Sequence, residues 1–328
     1  MQMALLAILA LASQPAPACV AYHPRPLSVP ADAAYRTAEG KVRVVGYNDM
    51  AEMLGALGAA FTVHQPGIAF DFVLKGTRTA PLALLNRSSA FAPMGAEFTA
   101  ADLSSWRVTN TSDPLVVQVA KDSLDPRALS SPLGIFVNAA NPLARMTLPK
   151  LHRVLTTPGL RWGALGLSGA WAQRPVHVLG LSPNLALSLF MRNHILGGKA
   201  ITPALQGYAK SRQVVEAVAQ DPLAIGFADL SHAEPRVHVL ALADKPSGPW
   251  HDGSPADLQS GLYPLERQLL IYARREEMRG IPGAFIAFTL SCEGQAIIAN
   301  GDLGYLPLDS RQLKHERKNT GSLQVSAS

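Results

Sequence analysis

Short β-rich apolar runs alternate with stretches of helical periodicity along most of this chain. Residues 41–46 interleave Val with Lys and Arg and close on Gly46, the pattern of a strand. Met50, Met53, Leu54, Leu57 and Phe61 then recur at the spacing of one helix face. The run IAFDFVL at 68–74 predicts a second strand, Gly76 a turn, and the apolar residues 82–85 another helix. Strand, helix, strand, helix implies an α/β architecture with parallel strands. The pattern restarts after Pro132, with strands at 134–137, 176–179 and 224–227 and helices at 149–155, 185–196 and 214–218. Residues 244–257, rich in Pro, Gly, Asp and Ser, read as a loop around Trp250. A strand at 268–273 and a strong amphipathic helix over 283–299 complete the series. No short-period repeat interrupts it.

The length of 328 residues accommodates two domains of ordinary size, and 48% apolar against 16% charged residues excludes global disorder. The net charge of +5 suits an anionic ligand without requiring one. Nucleic-acid binding is not expected, because the sequence lacks a basic stripe interleaved with aromatic platforms. The one dense basic run, KHERK at 314–318, falls in a polar C-terminal tail (309–328) expected to be solvated.

The N-terminus changes the picture more. Residues 3–12 are an unbroken apolar run, too short to span a bilayer and of the right size for the core of a signal peptide. APA at 16–18 resembles a cleavage site, so residues 1–18 are expected to be removed and the mature chain to be periplasmic or secreted. Residues 19–40, rich in Pro and Ala, read as a linker. Cleavage before Cys19 would make it the mature N-terminus and a candidate lipid attachment point. The other cysteine is Cys292, and two free thiols are expected rather than a disulfide, whose geometry the sequence leaves unconstrained.

Several strings, taken in order, resemble the periplasmic phosphate-binding proteins (PstS-like) of ABC uptake systems. They are VNAANPL at 137–143, TLPKL at 147–151, RWGALG at 161–166, DPLAIGF at 221–227 and YPLERQL at 263–269, followed by AFIAF at 284–288, LSCEGQ at 290–295 and GYLPL at 304–308. The resemblance runs from about residue 41 to residue 308. It implies a type II periplasmic-binding-protein fold, two α/β lobes around a ligand cleft joined by two crossover segments. Lobe one would comprise 41–128 plus 263–308, and lobe two 129–262.

The resemblance also implies a ligand set. Such proteins hold phosphate with hydroxyls, backbone N–H groups and helix N-termini, plus an Arg and an Asp, which together stabilise an oxyanion. The first motif corresponds to GYND at 46–49, where Asn48 or Asp49 replaces the family's hydroxyl residue; both types also suit a plain helix N-cap. GTRT at 76–79 keeps a hydroxyl in Thr77, with Thr79 beside it, and adds Arg78, able to clamp an anion bidentately or to stand as an ordinary surface residue. APMGA at 92–96 has lost its polar ligands, leaving the Gly95 N–H. GLSPNLA at 180–186 replaces the family's Arg with Leu181 and its Ser-Gly-Thr with roughly Asn184-Leu185-Ala186, so two hydroxyls are lost, leaving Ser182 and Asn184 to cap the helix and point inward. Losing charged hydrogen bonds worth about 1.5–3 kcal/mol each weighs against tight phosphate binding.

No cofactor is implied. The nine histidines show no metal-ligand spacing, and GLSG at 166–169 lacks the spacing of a nucleophile elbow. Glu276 and Glu277 follow Arg274 and Arg275 as a solvated charged face rather than a catalytic pair. The expected function is therefore non-enzymatic: a monomeric extracytoplasmic receptor for phosphate or a related small oxyanion, delivering to a membrane permease. The alternative is a degenerate module acting as a sensor or interaction protein; a hydrolase on this scaffold is the third possibility.

Overall fold

A computed structural model describes residues 19–321; the expected signal peptide (1–18) and the last seven residues of the expected tail lie outside the described residues. The chain builds β1 (Val42–Gly46), α1 (Ala51–His64), β2 (Phe70–Leu74), α2 (Ala80–Leu85), β3 (Ala92–Met94), α3 (Ala100–Thr109) and β4 (Leu115–Lys121). It then crosses to β5 (Leu133–Asn138), β6 (Arg145–Thr147), α4 (Leu148–Thr156), β7 (His177–Leu181), α5 (Ala186–His194), β8 (Gln206–Tyr208), α6 (Ser211–Gln220), β9 (Ala224–Asp229), β10 (Val237–Val239), β11 (Ala241–Ala243) and α7 (Pro255–Ser260). It returns through β12 (Gln268–Ala273), α8 (Ile281–Thr289), α9 (Cys292–Ala299) and α10 (Ser310–Gly321).

Two hydrophobic cores result. One gathers Val42, Leu54, Phe61, Val117, Ile271 and Phe285 from the first and last stretches of chain, with a satellite around Trp106 and Tyr272. The other gathers Phe136, Trp162, Val214 and Phe227 from the middle. We call the bodies around them the first and second lobes. The helix face predicted for α1 is entirely buried, as hydrophobic periodicity requires.

The sheets are mixed rather than parallel. β1–β2 and the β9–β7–β8 run are parallel, but β5 pairs antiparallel with β9 and β10, and β12 pairs antiparallel with β3 and β4. The departure has a topological cause. The chain leaves the first lobe on β4 and comes back on β12, so these neighbours run in opposite directions.

The amphipathic helix expected over 283–299 is two helices bent by 63°. Ser291 stops the first and caps the second, its side chain accepting from the Gly294 N–H at 3.2 Å. A Cβ on Gly294 would sit 2.3 Å from the Phe288 carbonyl oxygen, so the sharp turn requires glycine. α8 is buried on nearly every side, which makes it a core helix instead of an amphipathic one. Among the described residues no single helix is long and apolar enough to cross a membrane.

Both ends of the described chain are docked on the first lobe. Cys19 forms a disulfide with Cys292, against the expectation of free thiols. The close approach follows from residues 19–40 being strapped down. The Cys292 N–H donates to the Val20 carbonyl at 3.0 Å, Gln65 donates to the Arg25 carbonyl at 2.7 Å, and Tyr22 meets Phe288 edge-on at 5.2 Å. The aromatic residues scattered among the prolines give this segment the apolar grip that its linker-like composition hides. With its sulfur bonded to Cys292, Cys19 has no thiol left for a lipid thioether. At the other end, α10 turns Leu313, Glu316 and Thr320 inward while Lys314, His315 and Lys318 face solvent. The polar tail is thus a one-faced helix as far as Gly321.

Between the lobes lies a buried joint. Asp49 accepts from the N–H groups of Leu129 (2.9 Å) and Ser130 (2.8 Å) and from the Tyr305 hydroxyl. Asp122 accepts from the Ser130 hydroxyl at 2.9 Å and from the Arg267 N–H. Lys121, also buried, donates from Nζ to the carbonyls of Leu258 and Gln259 at the end of α7. Both crossovers are therefore pinned to the same few side chains.

Two outcomes test this anatomy. Reduction with dithiothreitol, or Cys292→Ser, should lower stability to urea by about 2–5 kcal/mol, because the bridge closes a loop of 273 residues; unchanged stability would show that the thiols are not paired. Asp49→Ala strands three donors, two of them fully buried, and should cost about 3 kcal/mol or more in the same assay; a cost below about 0.5 kcal/mol would remove Asp49 from the joint.

Candidate functional site

The crossovers and the two lobes enclose a cleft of about 550 Å³. Its first-lobe wall is built by three tight turns and the returning strand. Gly76, at φ 117°, adopts a backbone conformation that favours glycine and launches the turn carrying Thr77 and Arg78. Thr79 turns back, its hydroxyl donating to the Gly76 carbonyl at 2.8 Å, and so stabilises the turn rather than facing the cleft. Thr77 and Arg78 line the cavity.

Gly95 also lines it, for a reason of space as well as of its N–H. A Cβ there would fall 2.3 Å from the Tyr47 ring, so only glycine lets Tyr47 lie over this turn. The Gly95 carbonyl accepts from Arg267 Nη2 at 2.8 Å. Arg267 is only 4% exposed, and its Nη1 has no hydrogen-bond partner among the described residues. A buried guanidinium donor without an acceptor is costly unless something fills the place. Beside it, Glu266 lines the same cavity, and its Oε2 also lacks a partner among the described residues.

The electrostatics of this corner follow from burial. Desolvation pushes the Glu266 carboxyl up to about 7, with Lys121 pulling the other way. Desolvation likewise pushes Tyr47 up to about 12, opposed by the charge of the neighbouring Arg267 and by a weak hydrogen bond to its guanidinium. Asp122, behind the cleft in the joint, is raised to about 6 by burial although Arg267 and Ser130 favour its ionised form. Near neutral pH the cleft thus holds cationic Arg267 and Arg78 beside a Glu266 that retains much of its proton.

The second-lobe wall differs from expectation. Ser182 and Asn184 neither cap α5 nor reach the cavity. Leu185 occupies the N-cap without a side-chain bond, the Ser182 hydroxyl donates to the Tyr208 carbonyl at 3.2 Å, and Asn184 is exposed. The C-terminal half of α5 lines the cleft instead, through Leu189, Phe190, Asn193 and His194. Phe190 and His194 stack at 4.3 Å, and His194 Nε2 lies 3.6 Å from Glu97 of the opposite wall, linking the lobes across the opening.

Of the eight residues singled out in the sequence, Thr77, Arg78 and Gly95 come together in the cleft. Thr79, Ser182 and Asn184 do not. Asn48 is exposed and does not line it. Asp49 is buried in the joint, where backbone N–H groups take both of its oxygens. Neither Asn48 nor Asp49 caps α1, whose N-cap is Met50 with no side-chain bond. The sequence reasoning missed Tyr47, Glu266, Arg267 and the α5 face. The signal for two of them was present in YPLERQL at 263–269, which had served only to trace the fold. Among the described residues no group of His, Cys, Asp and Glu could hold a metal ion.

The raised carboxyl groups have a consequence for stability. An unfolded chain ionises Glu266 and Asp122 near pH 4, whereas the folded chain keeps their protons to about 7 and 6. The folded state binds more protons in between, so stability falls as pH rises from about 4.5 to 7 and then levels. Glu266→Gln should remove part of this fall, on the order of 2–3 kcal/mol. Urea denaturation at pH 4.5 and 7.5 measures it; an identical difference in the wild type and the variant would refute the assignment.

Comparison with known proteins fits this architecture. The profile of the PBP superfamily domain matches residues 31–293. The phosphate-binding protein PstS of Pseudomonas aeruginosa is 24% identical over 293 residues, covering 86% of this chain and 87% of that protein. Phosphate-binding protein PstS 2 of Streptococcus agalactiae is 28% identical over 111 residues, 34% of this chain and 35% of that one. Among solved structures, an ABC-type phosphate transport receptor from Vibrio cholerae superposes with a TM-score of 0.59 at 17% identity, covering 81% of this chain and 99% of that one. PstS from Borrelia burgdorferi gives 0.59 at 14% identity, covering 82% and 98%. The fold is the type II periplasmic-binding-protein fold, with two lobes about a cleft, and the chain belongs to the PBP superfamily.

Proposed function

We propose that this protein is an extracytoplasmic solute receptor that holds a phosphate-type oxyanion non-covalently in its interlobe cleft and delivers it to a membrane permease. The observation that carries the proposal is Arg267, a cleft-lining residue whose guanidinium is almost wholly buried and whose Nη1 has no hydrogen-bond partner among the described residues. An oxyanion seated there would complete its hydrogen bonding, with the Thr77 hydroxyl and Arg78 on the same wall as further donors. With its carboxyl raised to about 7, Glu266 is partly protonated near neutral pH, which reduces its repulsion of such an anion and lets the protonated form donate to it. The names of the P. aeruginosa and V. cholerae proteins support the ligand class. The disulfide supports an oxidising compartment.

The chemistry asked of the site is binding and closure. Lobe rotation about the pinned crossovers would bring α5 onto a ligand held by the first lobe. Calorimetry on the mature chain with phosphate and sulfate tests the proposal. Arg267→Ala should weaken binding about 10–100-fold, the loss of one charge-assisted hydrogen bond to an ion. Arg267→Lys, which keeps the charge but not the planar fork, should fall between. Ligand at about 100 times its dissociation constant should stabilise the fold by about 2.7 kcal/mol. Absence of any heat or thermal shift with either anion would sink the proposal and favour the sensor alternative.

A further inference from the structure

The two walls of the cleft offer different chemistry. All the cationic groups without an ion-pair partner across the opening, Arg78 and Arg267, stand on the first-lobe side. The second lobe's counterpart motif carries Leu181 and Leu185, and the face α5 presents joins half-buried Leu189 and Phe190 to exposed Asn193 and His194, the last stacked on Phe190. His194 is engaged by Glu97 at 3.6 Å. Pro81 of the first lobe and Pro264 of the return crossover add further apolar surface to the lining.

An inorganic tetrahedral ion has only oxygens to offer. Bound at Arg267, it would leave the Leu189–Phe190 part of the α5 face with no apolar partner when the lobes close. The cleft, about 550 Å³ before any closure, has room beside such an ion for an organic group and lies in the range of small-molecule sites, about 300–1,000 Å³. A ligand with two unlike ends matches both walls.

Resting on the oxyanion reading above, the geometry points to a tetrahedral oxyanion bearing one apolar, preferably flat, organic substituent, its head at Arg267 and its body against Phe190 of α5. Phosphonates and phosphomonoesters share this chemistry. The anionic head supplies charge-assisted hydrogen bonds to the first lobe. The substituent buries apolar surface on the second and stacks on the Phe190 ring, so closure is favoured only when both ends are present. α5 would then be the element that selects the ligand.

Calorimetry with inorganic phosphate, methylphosphonate and phenylphosphonate separates the two levels of the argument. Phenylphosphonate should bind at least tenfold more tightly than either of the others. Phe190→Ala should reduce the phenyl-to-methyl affinity ratio to below about threefold, and Phe190→Leu, which preserves the packing of α5, serves if the alanine variant fails to fold. Arg267→Ala should weaken all three probes together. Equal affinities, tighter binding of inorganic phosphate, or a phenyl preference that survives both Phe190 variants would overturn the substituent while leaving the oxyanion reading intact. Silence with all three probes would overturn both.

Discussion

Two buried carboxylates, Asp49 and Asp122, hold the joint on which everything else is hung. Each gathers donors from both crossovers or from the lobe beside them: the N–H groups of residues 129, 130 and 267, and the hydroxyls of Ser130 and Tyr305. Desolvation penalises such groups heavily, and only a full complement of donors makes their burial tolerable. The arrangement fixes where the chain leaves the first lobe and where it re-enters. A loop-rich connection without these anchors would leave the relative position of the walls undetermined.

The joint also places the binding chemistry. Asp122 grips the backbone of Arg267 at the joint, and the Arg267 side chain lies along the cleft wall, its Nη2 held by the Gly95 carbonyl. Glu266 shares this origin. The charged corner of the site is thus part of the hinge, while the apolar α5 belongs to the opposite lobe. Charge beside the joint and apolar surface on the opposite wall are the two features that the proposed ligand, an anion with an organic substituent, would meet.

The ends of the chain serve the same body. The Cys19–Cys292 bridge and the docked strap of residues 19–40 cover α8 and α9, and α10 packs against β4 and α8 on the first lobe. These additions stiffen the lobe that carries the cations. The second lobe has no such reinforcement and relies on its five-stranded sheet.

The sequence by itself determined the element series. Val-rich runs, the α1 face and the apolar strings of β5, β7, β9 and β12 encode local period and burial, which neighbouring residues can specify without help. It also determined the family, through ordered strings, and the Thr77–Arg78 turn, through the glycine before it. Only the tertiary structure decided which polar groups meet. Asp49 looked like a ligand or a cap because its local context is a turn before a helix; its partners lie at 129, 130 and 305, far along the chain. Arg267 looked like part of a connecting string, since nothing local shows that one of its nitrogens will be buried without an acceptor. The pairing of Cys19 with Cys292, the antiparallel β4–β12 contact and the approach of the C-terminal half of α5 to the cleft have the same character. Each depends on distant segments being brought together by burial, and local pattern carries no record of that distance.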